Sequence, residues 1–256
     1  MNALRKVLHP LRKALGRFAL VPPNRAEQIR DSILYKAART IAAEKIQGDY
    51  YEFGVYRGAH FTTAYHHIRY AFEAATLPGP WNTAADREER RVLWERMRFR
   101  AFDSFQGLPA PRGLDEATRD FVEGKYACSR PEFEATIRQN GVPLERVDVV
   151  PGWFSESLNP ALRGTLGTAA IVTVDCDLYE SAKVVLDFMT PLLTAGSVLV
   201  FDDWFSFRGD PAFGEQRACA EWRAENPKWD LVEYQKEGPW RNSFIVVPKR
   251  EPSPRG

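Results

Sequence analysis

Four aspartates stand in two pairs in the second half of a 256-residue chain, Asp175 and Asp177 in VDCD and Asp202 and Asp203 in FDDW. Each pair follows a short apolar run rich in Val and Ile, Ala169 to Val174 and Ser197 to Phe201, of a length suited to buried strands. Between them, Tyr179 to Leu193 carries Val184, Val185, Phe188, Met189 and Leu192 at helical spacing, and Thr194-Ala195-Gly196 reads as a stop and a turn. A strand, helix, strand unit implies parallel strands, so both deliver their acids to the carboxyl edge, where α/β sheets bind ligands. Four carboxylates in one crevice repel unless they share protons or a cation, and a hard divalent cation with oxygen ligands is the natural neutraliser. Helix capping is the competing use of any single Asp; DxD and DD at one edge point to metal binding or catalysis. Cys176, between two of them, reads as a small buried residue, because a lone thiol does not make a zinc site.

The elements that must position these acids follow the same pattern. Tyr50 to Val55 reads as the first buried strand, Tyr56-Arg57-Gly58 as a tight turn, and Ala59 to Ala75 as a helix, which gives Glu52-x-Gly54-x-x-x-Gly58. Glycines there let backbone approach a ligand, although a plain strand-to-helix turn has the same spacing. A helix from about Arg25 to Ile46 precedes it, and a charged, solvated helix lies between Leu77 and Arg98. Arg100 to Phe102 is a short strand ending at Asp103, an acid placed either to accept from ribose hydroxyls or to cap the next turn. Leu108 to Asn140, helical around Pro131 to Gln139, is too long for a plain connection and suits a lid or binding loop. Val147 to Val150 is a third strand, followed by Gly152-Trp153-Phe154. Beyond Asp203 come the loop WFSFRGDPAFG, a helix from Glu215 to Glu225, and strands at Trp229 to Tyr234 and Ser243 to Val247 that pair antiparallel. Trp204, Phe205, Phe207 and Phe213 form either a substrate wall or core under the loop. Arg57, Arg208 and Arg217 are either anion contacts or solvated surface, and His60 lies near the ligand edge. The fold class is therefore α/β: a doubly wound, mostly parallel seven-stranded sheet with an antiparallel C-terminal pair.

Composition bounds the partners. A formal charge of +1, from 35 basic and 34 acidic residues, argues against nucleic acid. Three widely separated cysteines without a C-x-x-C fit a reducing compartment, so cytoplasm is expected. No apolar run is long enough to span a membrane. Met1 to Phe18 is a basic amphipathic stripe interrupted by Pro10, which reads as a helix packed on the domain or a second subunit, a lid, or a peripheral membrane contact. The expected organisation is an N-terminal helical segment over 1–47, one ligand-binding domain over 48–248 and a disordered tail over 249–256.

The blocks EFGVYRG, FDSFQGLP, PGWFSESL, VDCDLYES, VFDDW and GEQRA, in this order from about Gly48 to Trp222, resemble the TylF/MycF/NovP group of macrocin-type sugar O-methyltransferases. The resemblance implies a class I, Rossmann-like methyltransferase domain that uses S-adenosylmethionine and Mg2+ to methylate a sugar hydroxyl of a glycoside, natural product or surface glycan. It implies that Glu52 and Gly54 lie against the methionine part of the cofactor, that Gly58 allows the turn, that Asp103 holds the ribose with Ser104 beside it, and that Gly152 and Trp153 border the adenine. It implies Asp175, Asp202 and Asp203 as metal ligands and Asp177 as general base, with Asp175 and Asp177 close enough in sequence to exchange roles. A small-molecule or glycan acceptor is the expected partner, and a homo-oligomer is compatible with the resemblance. A catechol-type methyltransferase acting on an aromatic diol, and a non-catalytic binding module on the same fold, are the alternatives.

Overall fold

Seven short segments, most of them dense in β-branched and aromatic residues, form one sheet: β1 Asp49–Phe53, β2 Phe99–Asp103, β3 Val147–Pro151, β4 Ala169–Val174, β5 Leu193–Phe201, β6 Trp229–Glu237 and β7 Arg241–Pro248. The computed structural model describes residues 32–118 and 120–249. The basic stripe over 1–18, the start of the helix expected from Arg25, and the tail over 250–256 lie outside them. The strand order is β3-β2-β1-β4-β5-β7-β6. The first five strands run parallel, and β7 is antiparallel to both β5 and β6. Order reverses between β1 and β4, so the crevice of an open α/β sheet opens at the carboxyl ends of those two strands.

The central strands are buried on both faces, which is why they read as near-continuous apolar runs. Successive residues serve opposite layers. Tyr50, Phe99, Ile171 and Val198 face the core under helices α1 Ile33–Ala43, α2 Ala59–Ala75 and α4 Arg130–Gln139; Tyr51, Phe102, Val172 and Leu199 face the core under α5 Tyr179–Met189 and α6 Gly214–Glu225. In α1, buried Ile33, Leu34, Ala37, Ala38 and Ile41 make one stripe against the sheet, and Ser32 caps its start. Fully buried Trp222 ties α6 to the end of α5 through Nε1–H to Thr190 Oγ1 at 2.7 Å. Truncating a core Trp to Ala costs about 3–5 kcal/mol. The charged helix is α3 Ala84–Arg96, opened by a Thr83/Asp86 capping box and without a buried residue.

The structure corrects expected boundaries: the helix expected from about Arg25 to Ile46 has the extended residue Ser32 as its N-cap and runs over Ile33–Ala43. Thr194-Ala195-Gly196 is not a turn between helix and strand but the first part of β5. The helical chain stops earlier, at Met189 and the 3₁₀ turn Thr190–Leu192 that contains Pro191. Gly196, at φ 91°, then makes a bulge with Ile46 packed against it, and the register of β4 on β5 shifts there. Ser197 Oγ accepts from the Thr194 amide and donates to the Ala169 carbonyl at 2.6 Å, closing the bulge. No helix among the described residues is long and apolar enough to cross a membrane.

Candidate active site

Three strand ends meet at the crevice. The Gly54 amide donates to the Phe102 carbonyl at 2.8 Å and the Asp175 amide to the Phe53 carbonyl at 2.9 Å, lacing β2, β1 and β4 together just beyond their last residues. Gly54 sits at φ 92°, and a Cβ there would overlap the Asp175 carbonyl oxygen. Asp103, at the end of β2, accepts the Val55 and Tyr56 amides on Oδ2 (2.9 and 3.0 Å) and the Phe105 amide on Oδ1 (2.7 Å). It therefore caps the glycine turn and its own turn at once. Burial raises its pKa above the usual carboxylate value, and the three amides oppose the rise. The Gly152 amide donates to the Asp103 carbonyl at 2.9 Å, and at φ 125° Gly152 turns the chain so that Trp153 follows it into the crevice. Ser104 Oγ donates to the Gly107 carbonyl and accepts the Gln106 amide.

Glu52 and Gly58 are placed differently: neither lines the crevice. The Glu52 side chain is fully buried behind the glycine turn, where Oε2 accepts from the Tyr50 hydroxyl and lies 3.1 Å from His60 Nδ1, and Oε1 has no partner. Burial alone would lower the His60 pKa, but the Glu52 charge and hydrogen bond outweigh it and raise it. Gly58 is the left-handed N-cap of α2, and a Cβ there would meet Ile137 and Phe133 of α4, so it serves helix packing.

The acids converge. Carboxylate oxygens of Asp175, Asp202 and Asp203 lie within 4.8 Å of one another. Asp202 is ion-paired with Arg241 Nε, and Asp203 accepts from Ser206 Oγ at 2.9 Å. Asp177 is buried at the same edge, at φ 63°. Burial first, then the Asp202 charge, pushes Asp175 well above the carboxylate range; burial and the Asp203 charge push Asp177 up to about 9. Like charges this close disfavour one another's ionised forms, and a cation among them relieves that repulsion. All three clustered donors are carboxylate oxygens, without thiolate or imidazole, and that set fits a hard divalent cation.

Around these groups lies a cleft of about 1780 Å³ bordered by Gly54, Asp103, Trp153, Asp175, Asp177 and Asp203. Sites for one small molecule hold about 300–1000 Å³, so this one has room for two ligands side by side. One wall is the segment over 105–126. It is closed on itself by Leu108 and Gly124 backbone bonds and anchored by Asp115, which is 1% exposed and accepts the Tyr179 and Glu180 amides at 2.7 and 3.2 Å. Asp115 thus caps α5, whose own N-cap Leu178 offers no side chain for the purpose. Five non-glycine residues with left-handed backbone border the cleft: Tyr56, Tyr126, Asp177, Phe207 and Arg208. Strain of this kind persists where the surroundings over-determine a working geometry.

The aromatic group after Asp203 divides. Phe207 and Phe213 stack at 5.8 Å and line the cleft, whereas Trp204 packs into the core on Phe201 and Phe244. Arg208 lines the cleft, Arg57 lies over the Tyr56 ring, and Arg217 is ion-paired with Glu221. Sequence reasoning missed Arg241, Glu215 and Asp115. Arg241 reaches Asp202 only through the antiparallel pairing of β7 on β5, and Asp115 reaches α5 from 64 residues away. No local spacing announces either one.

The sheet order, the antiparallel β7 and the ligand crevice at the switch point define a class I, Rossmann-like methyltransferase fold. Residues 82–227, more than half of the chain, match the family described as Macrocin-O-methyltransferase (TylF); the chain belongs to that family. It is 30% identical over 180 residues to the 8-demethyl-8-(2,3-dimethoxy-alpha-L-rhamnosyl)-tetracenomycin-C 4'-O-methyltransferase of Streptomyces olivaceus, an alignment covering 68% of this chain and 59% of that protein. It is 28% identical over 188 residues to the demethyldecarbamoylnovobiocin O-methyltransferase of Streptomyces niveus, covering 70% of this chain and 60% of that one. These alignments thus span about 60% of the length of either relative. Among solved structures, the O-methyltransferase NovP superposes with a TM-score of 0.63 at 21% identity, over 86% of this chain and 80% of that one. The calicheamicin methyltransferase CalS11 gives 0.60 at 21% identity, over 88% and 80%.

Proposed function

We propose that this chain is an S-adenosylmethionine- and Mg2+-dependent O-methyltransferase that acts on a sugar hydroxyl of a glycoside, natural product or glycan. The observation that carries the reading is the meeting of Asp175, Asp202 and Asp203 at one side of a cleft whose other side is the Gly54, Asp103 and Trp153 edge. The Streptomyces olivaceus relative, named as a 4'-O-methyltransferase of a rhamnosyl-tetracenomycin, supports the acceptor class.

When bound, S-adenosylmethionine supplies an electrophilic methyl group and the cation lowers the pKa of an acceptor hydroxyl. The chain's part is binding, orientation and proton acceptance. Asp175, Asp202 and Asp203 hold the cation through carboxylate oxygens. Asp103, fixed by three amides, presents both oxygens to ribose hydroxyls, with Ser104 beside it, and Trp153, turned into the cleft by Gly152, borders the adenine. Gly54 borders the methionine part, and Glu52 supports it from behind through Tyr50 and His60. Phe207 and Phe213 offer flat faces to a sugar ring. Asp177 takes the hydroxyl proton on a carboxylate oxygen. One observation supports that division between Asp175 and Asp177: Asp175 belongs to the three-acid group, and Asp177 borders the same cleft without belonging to it. Holding acceptor and donor side by side supplies much of the remaining acceleration.

Titration of S-adenosylmethionine by calorimetry, followed by methyl transfer to glycosides and to catechols, tests the reading. Binding with transfer to glycosides supports it. No binding at millimolar ligand, or transfer to catechols alone, contradicts it.

A further inference from the structure

Glu215 is the second residue of α6 and is 1% exposed, yet its two oxygens are unequally used. Oε2 accepts the backbone amide of Asp203 at 3.0 Å, and Oε1 is buried with no partner in the protein. The next residue reaches the same loop: Gln216 Nε2 donates to the Trp204 carbonyl at 2.7 Å and to the Gly209 carbonyl at 3.3 Å. Two adjacent side chains of one helical turn therefore hold the loop from Asp203 to Gly209. Presenting them needs Gly214, which sits at φ 54° with no room for a Cβ beside the Phe207 ring. A carboxyl buried this deeply beside three other acids is costly for folding. Simple core packing would be served better by an apolar residue of the same size.

The geometry points to Glu215 as a positioning residue of the acid group: through Oε2 it fixes the backbone of Asp203, and with it the direction of that carboxylate. Hydrogen-bonded partners behind metal ligands typically govern about 10- to 100-fold in metal affinity. The inference rests on the reading of Asp175, Asp202 and Asp203 as a cation site.

The test uses the purified full chain without substrate. Mg2+ binding is measured by calorimetry for the unmodified protein, Glu215→Gln and Glu215→Ala, with S-adenosylhomocysteine binding and the melting temperature measured on the same samples. Gln keeps an acceptor for the Asp203 amide and is close in shape, so it guards against a variant that fails to fold. The expected result is Mg2+ affinity reduced about 10- to 100-fold in Ala and by less in Gln, with S-adenosylhomocysteine affinity within about twofold of the parent. If the parent binds Mg2+ and both variants bind it equally well while melting lower, Glu215 is a structural residue of α6 and the inference is overturned. If the parent binds no Mg2+, the cation reading itself falls and takes the inference with it.

Discussion

The α-carbon of Gly54 lies against the carbonyl oxygen of Asp175, close enough that a methyl group on it would overlap that oxygen. The glycine turn and the acid edge are therefore packed backbone to backbone where β1 and β4 end. Gly54→Ala must push the strands apart and place an L-residue at φ 92°. A cost of at least about 2 kcal/mol is expected, or a melting temperature lower by roughly 4–8 °C for a domain of this size. Calorimetric melting checks this, and S-adenosylmethionine affinity should fall in parallel.

Asp177→Asn separates proton acceptance from binding. The amide keeps the shape of the side chain but cannot take a proton, so turnover should fall about 10²- to 10⁴-fold. Affinity for S-adenosylhomocysteine should stay within a few-fold. Equal loss of both would remove Asp177 from the role of base and return that role to its neighbour Asp175.

Asp115 holds the wall over 105–126 to the start of α5. Asp115→Ala removes a cap, expected to cost about 1 kcal/mol. The local effect should be larger than the global one: tryptic cleavage after Lys125 should accelerate, and acceptor KM should rise more than kcat falls. Unchanged cleavage would mean that the wall is held by its own backbone bonds alone.

His67 gives the fold a pH dependence with a definite sign. Its Nδ1 is buried without a partner, and burial, then the charge of His60, holds its pKa down to about 4 against about 6.5 in an unfolded chain. Between these values the unfolded state binds the extra proton, so stability is lost as pH falls from 6.5 toward 4 and is fully present above 6.5. His67→Phe should lose less urea stability between pH 7.5 and pH 5 than the parent does. An identical loss in both proteins would contradict this origin.

Sequence periodicity exposed the fold because the sheet is buried on both faces: β4 and α2 fall on the predicted residues, since apolar runs and helical stripes there are uninterrupted. The start of β5 was hidden, because Gly196 reads as a turn residue and only the Ser197 bonds across to Ala169 show that it makes a bulge. At the site, the paired aspartates and Asp103, the last residue of β2, were visible as strand-end residues. What surrounds them was not. Arg241, Glu215 and Asp115 reach the acids and α5 from 39, 12 and 64 residues away through pairings that leave no local pattern. The aromatic loop after Asp203 was ambiguous because packing, not composition, sends Trp204 inward and Phe207 to the cleft.

The three-acid group is proposed to work with a divalent cation in methyl transfer. The most direct test is transfer of a labelled methyl group from S-adenosylmethionine to a glycoside acceptor by the purified protein, before and after exhaustive chelation and again after Mg2+ is restored. The expected result is a rate lost on chelation and recovered with Mg2+, with no recovery in Asp203→Asn. A rate that survives chelation and does not respond to added Mg2+ would contradict it.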